Sequence, residues 1–166
     1  MTFRRTIKIV LVCLVAAMVI RVLIIDTFVV RGDSMNPVIK DGNYVVVNRL
    51  AYAFSEPKRG DIIVVRPRDT LQKIVKRVIG LPGERIVFEG NKIVIKENRE
   101  DTGKVLQEVY LAGDTTKNNE EVFYETIDPY EYYTLGDNRD VSVDSRRLGP
   151  VDKWSIKGKV IFIFDF

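Results

Sequence analysis

Hydrophobic residues are concentrated in one long run near the start of the chain. Residues 9–25 are apolar apart from one charge, Arg21. The 17 positions of this run are close to the shortest helix that crosses about 30 Å of hydrocarbon. Arg21 lies near the far end, where its long side chain can reach the lipid–water interface. The run therefore predicts a single membrane-spanning helix.

The residues before this run predict its orientation. They include three basic side chains and no acidic one, and basic residues beside a spanning helix tend to stay in the cytoplasm. We expect residues 1–8 to form a cytoplasmic basic segment, 9–25 the transmembrane helix and 26–166 an extracytoplasmic domain. A cleavable secretory signal has the same basic and apolar regions, but the run is not followed by a small-x-small site and a polar break.

After the apolar run, the pattern changes to short segments rich in Val, Ile, Phe and Tyr, separated by Gly, Pro, Asp and Asn. This pattern is typical of strands. Gly90 and Asn91 lie between two alternating segments and predict a two-residue hairpin, whereas 97–121 has no sustained period and predicts an irregular excursion. We expect a mainly β, mostly antiparallel domain with strands within 27–30, 44–50, 61–67, 73–80, 85–97, 131–137 and 159–164.

Residue usage excludes several kinds of chemistry. The formal net charge of +3 is too small for a protein whose main work is binding nucleic acid. Because the chain contains no histidine, it can form neither a Ser-His-Asp triad nor an imidazole metal site, and a general base has to be Lys, Asp, Glu or Tyr. The single cysteine, Cys13, permits neither a disulfide nor a cysteine zinc cluster.

The first candidate for chemistry is a serine in a predicted turn, GDSMNP. Gly32 can adopt backbone conformations closed to other residues, and Pro37 stiffens the exit of the turn. Such a turn can hold the Ser34 hydroxyl and the neighbouring N–H groups toward a substrate. A serine at this kind of position is also commonly a backbone-bonding turn residue, and the turn alone leaves both interpretations open.

A serine nucleophile needs a proton acceptor, and without histidine a lysine is the usual one. Lysine has an ordinary pKa of about 10.4 and acts as a base only where burial lowers that pKa. In the predicted strand, alternation puts Lys76 between Ile74 and Val78 on one face. Lys73 shares the other face with the cation Arg77, so Lys76 is the better candidate base. The alternative is an edge-strand lysine that discourages aggregation.

A polar loop, LGDNRDVSVDSR, is dense in acids, hydroxyls and arginines. Asp144 can form charge-assisted hydrogen bonds with Arg146 or Arg139 and so hold the loop. Ser142 or Ser145 can hydrogen-bond a lysine amine and aim it. A calcium loop is the competing interpretation because carboxylates alternate with other residues, but the Gly and terminal Glu of the helix-loop-helix pattern are missing.

Taken in order, the apolar helix and the segments GDSMNP, RGDIIVV, IVKRVIGLPGE and LGDNRDVSVDSR resemble bacterial type I signal peptidases, which are membrane-anchored Ser/Lys endopeptidases. The resemblance covers essentially the whole chain. It implies a largely β catalytic domain on the outer side of the membrane that cuts signal peptides from exported preproteins after a small-x-small motif. The large insertion and second anchor of longer members are missing, as in the short form common in Gram-positive bacteria.

The resemblance also implies roles for individual residues. Ser34 matches the family's nucleophile and Lys76 its general base. Ser142 matches the hydroxyl that orients this lysine, and Asp144 and Arg146 match the supporting salt-bridge positions. The implied mechanism is acyl transfer through a covalent acyl-enzyme.

The implied substrate site is apolar and shallow, so that it admits only small side chains. Its matching positions are Val30, Met35, Ile39 and Ile74. Some family members have a hydroxyl residue in the oxyanion hole two positions before the nucleophile. Here this residue is Gly32, and we expect backbone N–H donors to act alone.

The resemblance implies no cofactor and no metal. The expected partners are preprotein signal peptides and the lipid bilayer, without nucleic acid, and the expected location is the cell membrane. Three other functions compete with this one: a cytoplasmic self-cleaving repressor with the same Ser/Lys chemistry, a non-catalytic anchored paralogue, and a structural secreted protein whose N-terminus is removed.

Overall fold

The structure is a computed structural model that describes residues 3–67, 72–111, 123–124 and 126–165. The described chain begins with one long helix and continues in short strands joined by turns and loops. The helices are α1 (Phe3–Ile24), α2 (Ser145–Leu148) and a single 3-10 turn at Lys153–Ser155. The strands are β1 (Ile25–Val29), β2 (Tyr44–Asn48), β3 (Ile62–Val65), β4 (Ile74–Gly80), β5 (Arg85–Glu89), β6 (Lys92–Lys96), β7 (Lys104–Val105), β8 (Phe123–Tyr124), β9 (Glu131–Leu135), β10 (Val151–Asp152) and β11 (Ile156–Phe164).

Helix α1 begins earlier than the apolar run predicts. It starts at Phe3 rather than residue 9, because Arg and Lys are good helix formers and the basic segment continues the helix. It ends at Ile24, where Ile25 opens β1 and pairs with Asn48 of β2. Within the part of the chain that the structure describes, no helix has the length and apolar character needed to cross a membrane.

The strands form two antiparallel sheets. The larger has the order β1-β2-β11-β3-β4-β9-β10 and the smaller the order β7-β6-β5-β8. Strand β11, from the end of the chain, lies between β2 and β3 and pairs with both. The mainly β, antiparallel fold expected from the sequence is confirmed.

Each of the seven predicted strand segments overlaps an observed strand, and β1 and β11 begin two and three residues before their predicted segments. The hairpin at Gly90 and Asn91 joins β5 and β6, with Glu89 paired to Lys92 and Gly90 at φ 58°. The pattern missed β7, β8 and β10, which have two residues each, because a period cannot be read from two positions. Strand β7 lies inside the segment predicted to be irregular.

The two sheets pack on each other through an apolar cluster. Strand β4 of the larger sheet ends at Gly80, where an added Cβ would meet the terminal methyls of Ile127 and Ile86 at 2.4 Å. A larger residue at this position would therefore require those side chains to shift. The buried members of the cluster, drawn from both sheets and the segment before β9, are Ile79, Ile86, Phe88, Ile93, Ile95, Ile127, Tyr133 and Leu135.

Candidate active site

Ser34 lies in the tight turn that follows β1, as the sequence predicts. Gly32 adopts φ +90°, a conformation that favours glycine, and its N–H donates to Asp41 Oδ1 at 2.7 Å. The next residue after the serine, Met35, is fully buried in the core and anchors the turn. The Ser34 side chain itself is half-buried, so the hydroxyl is both held and reachable.

Lys76 lies beside this hydroxyl, although 42 positions separate the two residues. Lys76 Nζ donates a hydrogen bond to Ser34 Oγ at 2.9 Å. The lysine is 3% exposed and lies on an internal strand of the larger sheet, opposite Ile63 of β3. Lys73, the weaker candidate from the sequence, is exposed and pairs with Asp26 at 2.5 Å. The structure therefore brings together the serine and the lysine that the sequence favoured.

The pKa of Lys76 lies below its ordinary value. Burial of the ammonium is the largest cause, since a charged amine is poorly solvated in the sheet interior. Nearby charges act in both directions: Asp144 and Asp137 raise this pKa, and Arg146 lowers it. Because desolvation exceeds the effect of the carboxylates, the amine loses its proton more readily than an exposed lysine, which is what a general base requires.

Asp144 holds the polar loop against the end of β9. Its side chain is completely buried, and its two oxygens accept from Arg146 Nε and Nη2, each at 2.9 Å. The same carboxylate accepts from Gly136 N at 3.0 Å. These bonds lower the pKa of Asp144 although burial alone would raise it. The structure thus selects Arg146 as its partner, and Arg139 pairs with Glu108 instead.

The loop also touches the backbone of the serine turn. Asn138 N donates to the Ser34 carbonyl at 3.0 Å. Gly136 lies so close that an added Cβ would collide with that carbonyl and with Ser142 Oγ. A glycine is therefore needed at 136 for reasons of space, and any displacement of the loop is transmitted to Ser34.

The two loop serines are both buried but differ in their partners. Ser145 Oγ accepts from Thr134 N at 2.9 Å, so this hydroxyl holds the loop to β9. Among the described residues, Ser142 Oγ has no hydrogen bond of ordinary geometry, although it is near enough to Asp144 to help lower the pKa of that carboxyl. The bond from Ser142 to the lysine amine, predicted from the sequence, is not formed in this structure.

A cavity of about 350 Å³ opens beside Ser34. Of the four predicted substrate-binding residues, Val30 and Ile74 line it, whereas Met35 and Ile39 are absent from its lining and are fully buried in the core beneath the turn. The remaining lining residues come from the same two segments of chain: Phe28, Val29, Arg31, Gln72, Lys73 and Val75.

Sequence reasoning missed a second ion pair next to the lysine. Arg77 follows Lys76 on β4, and its Nε and Nη2 donate to the two oxygens of Asp137 at 2.7 and 2.6 Å. Alternation put Arg77 on the opposite face from Lys76, and the Asp137 side chain is completely buried. The adjacent basic residues Lys76 and Arg77 and the acidic Asp137 indicated that an ion pair could form here, but the sequence does not show which of the charged side chains pair.

Comparisons with known proteins agree with this site. Residues 3–165 match the family described as signal peptidase, peptidase S26. The chain is 38% identical over 158 residues to signal peptidase I of Bacillus caldolyticus, covering 91% of this chain and 84% of the relative. It is 32% identical over 150 residues to signal peptidase IB of Staphylococcus aureus, covering 85% and 78% of the two chains.

A solved structure is also similar. The crystal structure of a signal peptidase I from Enterococcus faecalis V583 aligns with a TM-score of 0.54 and 30% identity, over 64% of this chain and 98% of the other. The family match spans nearly the whole chain, and the relatives agree in both sequence and fold. The chain therefore belongs to the signal peptidase family, peptidase S26, and is a serine peptidase of the signal peptidase I type.

Proposed function

We propose that Ser34 and Lys76 carry out the signal peptidase reaction. Neutral Lys76 takes the proton of the Ser34 hydroxyl as its oxygen attacks the scissile carbonyl. The protonated lysine then gives this proton to the leaving amine as the peptide bond breaks, which leaves the signal peptide esterified to Ser34. Lys76 next takes a proton from water, the resulting hydroxide attacks the ester, and Ser34 recovers its proton from the lysine.

The contact between the two side chains carries this proposal. Nζ and Oγ are 2.9 Å apart, which is within the range for direct proton transfer. The lysine is almost completely buried, and burial lowers its pKa. An exposed lysine at the same distance would remain charged at neutral pH and would have no lone pair for the serine proton.

The developing oxyanion needs donors near Ser34. Gly32 offers no hydroxyl, and the Ser34 N–H has no acceptor among the described residues. We infer that this N–H group binds the oxyanion. Ser142 remains the proposed orienting hydroxyl: it is buried against Gly136, and its oxygen has no other hydrogen-bond partner among the described residues.

The cavity beside Ser34 is proposed to bind the residues before the cleaved bond. It lies between the segment after β1 and the start of β4, and an extended peptide can pair with either through main-chain hydrogen bonds. Val30 and Ile74 then limit the size of the substrate side chains. We propose that Met35 and Ile39 act beneath the site, where they support its floor, and that the substrate is a preprotein cut after a small-x-small motif.

We also propose that residues 9–25 anchor the enzyme in the cell membrane, with residues 1–8 in the cytoplasm and 26–166 outside. The support is the surface of α1, which exposes large apolar side chains with no protein partner, among them Leu11, Leu14 and Met18 at 61–70%. Such side chains are stable in hydrocarbon and costly in water. We expect the protein to stay in the membrane during carbonate extraction, and we expect protease to digest residues 26–166 only when it is added outside the cell membrane. Release of the protein by carbonate would refute the anchor.

The catalytic proposal is tested by preprotein cleavage in membranes with the wild type, Ser34→Ala and Lys76→Met. Both variants are expected to lose processing, because one lacks the attacking oxygen and the other the proton acceptor. Lys92→Met is the matched control, since this exposed lysine lies on β6 of the smaller sheet and is absent from the lining of the cavity. Continued processing by Ser34→Ala or Lys76→Met, or a wild-type rate that stays flat between about pH 6 and pH 10, would refute the assignment.

A further inference from the structure

The segment after β7 returns from the smaller sheet to the polar loop. Leu106 N donates to Ile93 O of β6 at 2.8 Å, and its side chain packs on the cluster between the sheets. This contact holds the start of the segment to the smaller sheet. Two residues further on, the chain reaches the loop that contacts Ser34.

Glu108 forms a buried ion pair with the loop. Its oxygens accept from Arg139 Nη1 at 2.8 Å and from Arg139 Nη2 at 2.5 Å. The two side chains are only 9% and 1% exposed, and paired bonds of this kind define orientation as well as distance. Arg139 Nε also donates to Gly136 O at 3.1 Å, so Glu108 acts on the backbone that lies against Ser34.

Tyr110 connects this ion pair to the strand of the catalytic lysine. Its hydroxyl donates to Glu108 Oε1 at 2.5 Å. Its ring lies 3.8 Å from the guanidinium carbon of Arg77, a stacked cation–π contact. Arg77 is adjacent to Lys76, so Tyr110 is connected to the lysine through one residue. Its connection to the Ser34 turn runs through Glu108, Arg139 and Gly136.

We propose that Glu108 and Tyr110 are positioning residues for catalysis, supplied to the active site by the smaller sheet. They hold Arg139 and Arg77, and these arginines hold residues 136–138 against the Ser34 carbonyl. The inference rests on the proposed Ser34–Lys76 dyad. Their effect is on the geometry of the reacting groups, because a displacement of about 1 Å in such groups can cost up to about 100-fold in rate. Neither residue lines the substrate cavity, so we expect substrate binding to change little.

The test measures kcat and KM separately with the full chain in detergent and a purified preprotein. Glu108→Gln keeps the shape but removes the charge that holds Arg139, and we expect kcat to fall about tenfold or more with KM changed less than about twofold. Tyr110→Phe keeps the ring over Arg77 and removes only the hydroxyl, so a smaller fall in kcat is expected. If Glu108→Gln does not fold, Tyr110→Phe carries the test.

A matched control separates positioning from stability. Glu84 forms a half-buried ion pair with Arg59 at the turn between the two sheets, away from the polar loop. Glu84→Gln is expected to lower the melting temperature and leave kcat unchanged. The proposal would be overturned if Glu84→Gln and Glu108→Gln lowered kcat equally at the same loss of melting temperature. It would also be overturned if both Glu108→Gln and Tyr110→Phe kept the wild-type kcat.

A double variant tests the route of the effect. If Glu108 acts through Arg139, the fall in kcat for Glu108→Gln with Arg139→Gln should not exceed that of the larger single variant; independent, multiplying losses would contradict this route. Ser34→Ala is measured alongside. Activity retained by Ser34→Ala refutes the dyad itself, whereas an inactive Ser34→Ala with an unaffected Glu108→Gln refutes only the positioning role.

Discussion

The Asp144→Asn substitution tests how the polar loop is held. Asp144 has a completely buried side chain and accepts two bonds from Arg146 and one from Gly136 N. Asparagine keeps one acceptor for the Gly136 amide but leaves the Arg146 guanidinium without a negative partner. Breaking a buried ion pair in this way costs about 3–5 kcal/mol, and we expect about that loss in the free energy of unfolding.

Urea unfolding at neutral pH, followed by circular dichroism, measures this loss. Glu56→Gln is the control, because Glu56 pairs with Lys153 on the surface and its side chain is 64% exposed. Exposed pairs contribute about 0–1 kcal/mol. Equal losses for the two variants would refute the claim that the Asp144 pair holds the loop.

The same substitution predicts a change in pH dependence. Burial lowers the pKa of Lys76, the Asp144 charge raises it and the Arg146 charge lowers it further. Removing Asp144 leaves the influence of Arg146 less opposed, so the rising limb of kcat/KM, which reports the Lys76 proton in the free enzyme, should move to lower pH. A limb that stays in place or moves to higher pH would contradict the electrostatic description of the site.

Three further variants extend these expectations. Arg146→Met removes the cation that lowers the pKa of Lys76, and the rising limb of kcat/KM should move to higher pH. Lys76→Met should be inactive yet more stable to urea than the wild type, because the folded wild-type protein disfavours the charged form of Lys76. The gain in the free energy of unfolding is full below the lowered pKa of Lys76 and vanishes above about pH 10.5, where the lysine is neutral in both states. Equal stability of the two proteins at pH 7 would contradict this. Gly136→Ala should lower kcat by about 100-fold, because its Cβ collides with the Ser34 carbonyl; a near-wild-type kcat would show that the loop shifts without displacing Ser34.

The candidate dyad could be recognised from local sequence because each residue carries its own signal. Ser34 follows a glycine that the turn requires, and Lys76 has apolar neighbours at positions two before and two after it. The absence of histidine then left lysine as the best acceptor. The distance of 2.9 Å between Lys76 Nζ and Ser34 Oγ, however, depends on contacts between distant parts of the chain. These are the pairing of β3 with β4 and the hydrogen bond from Asn138 N to the Ser34 carbonyl.

Other features could not be inferred because the sequence offers several partners of equal chemistry. Asp144 has arginines two positions after it and five before it, and only the turn into α2 brings Arg146 into bidentate contact. Met35 and Ile39 are apolar like Val30, yet the direction of the turn buries them beneath the cavity. Glu108 lies in a charged stretch without a period, and its pairing with Arg139 arises where the smaller sheet returns to the loop.

The sequence by itself determined the strand segments, the candidate nucleophile and base, and the family. Local alternation of apolar and polar residues specifies which segments are extended and buried. Tertiary structure decided the insertion of β11 between β2 and β3, the choice among charged partners, and the burial that lowers the pKa of Lys76. These depend on long-range packing, because desolvation and ion pairing are properties of the surroundings that the folded chain assembles around a residue.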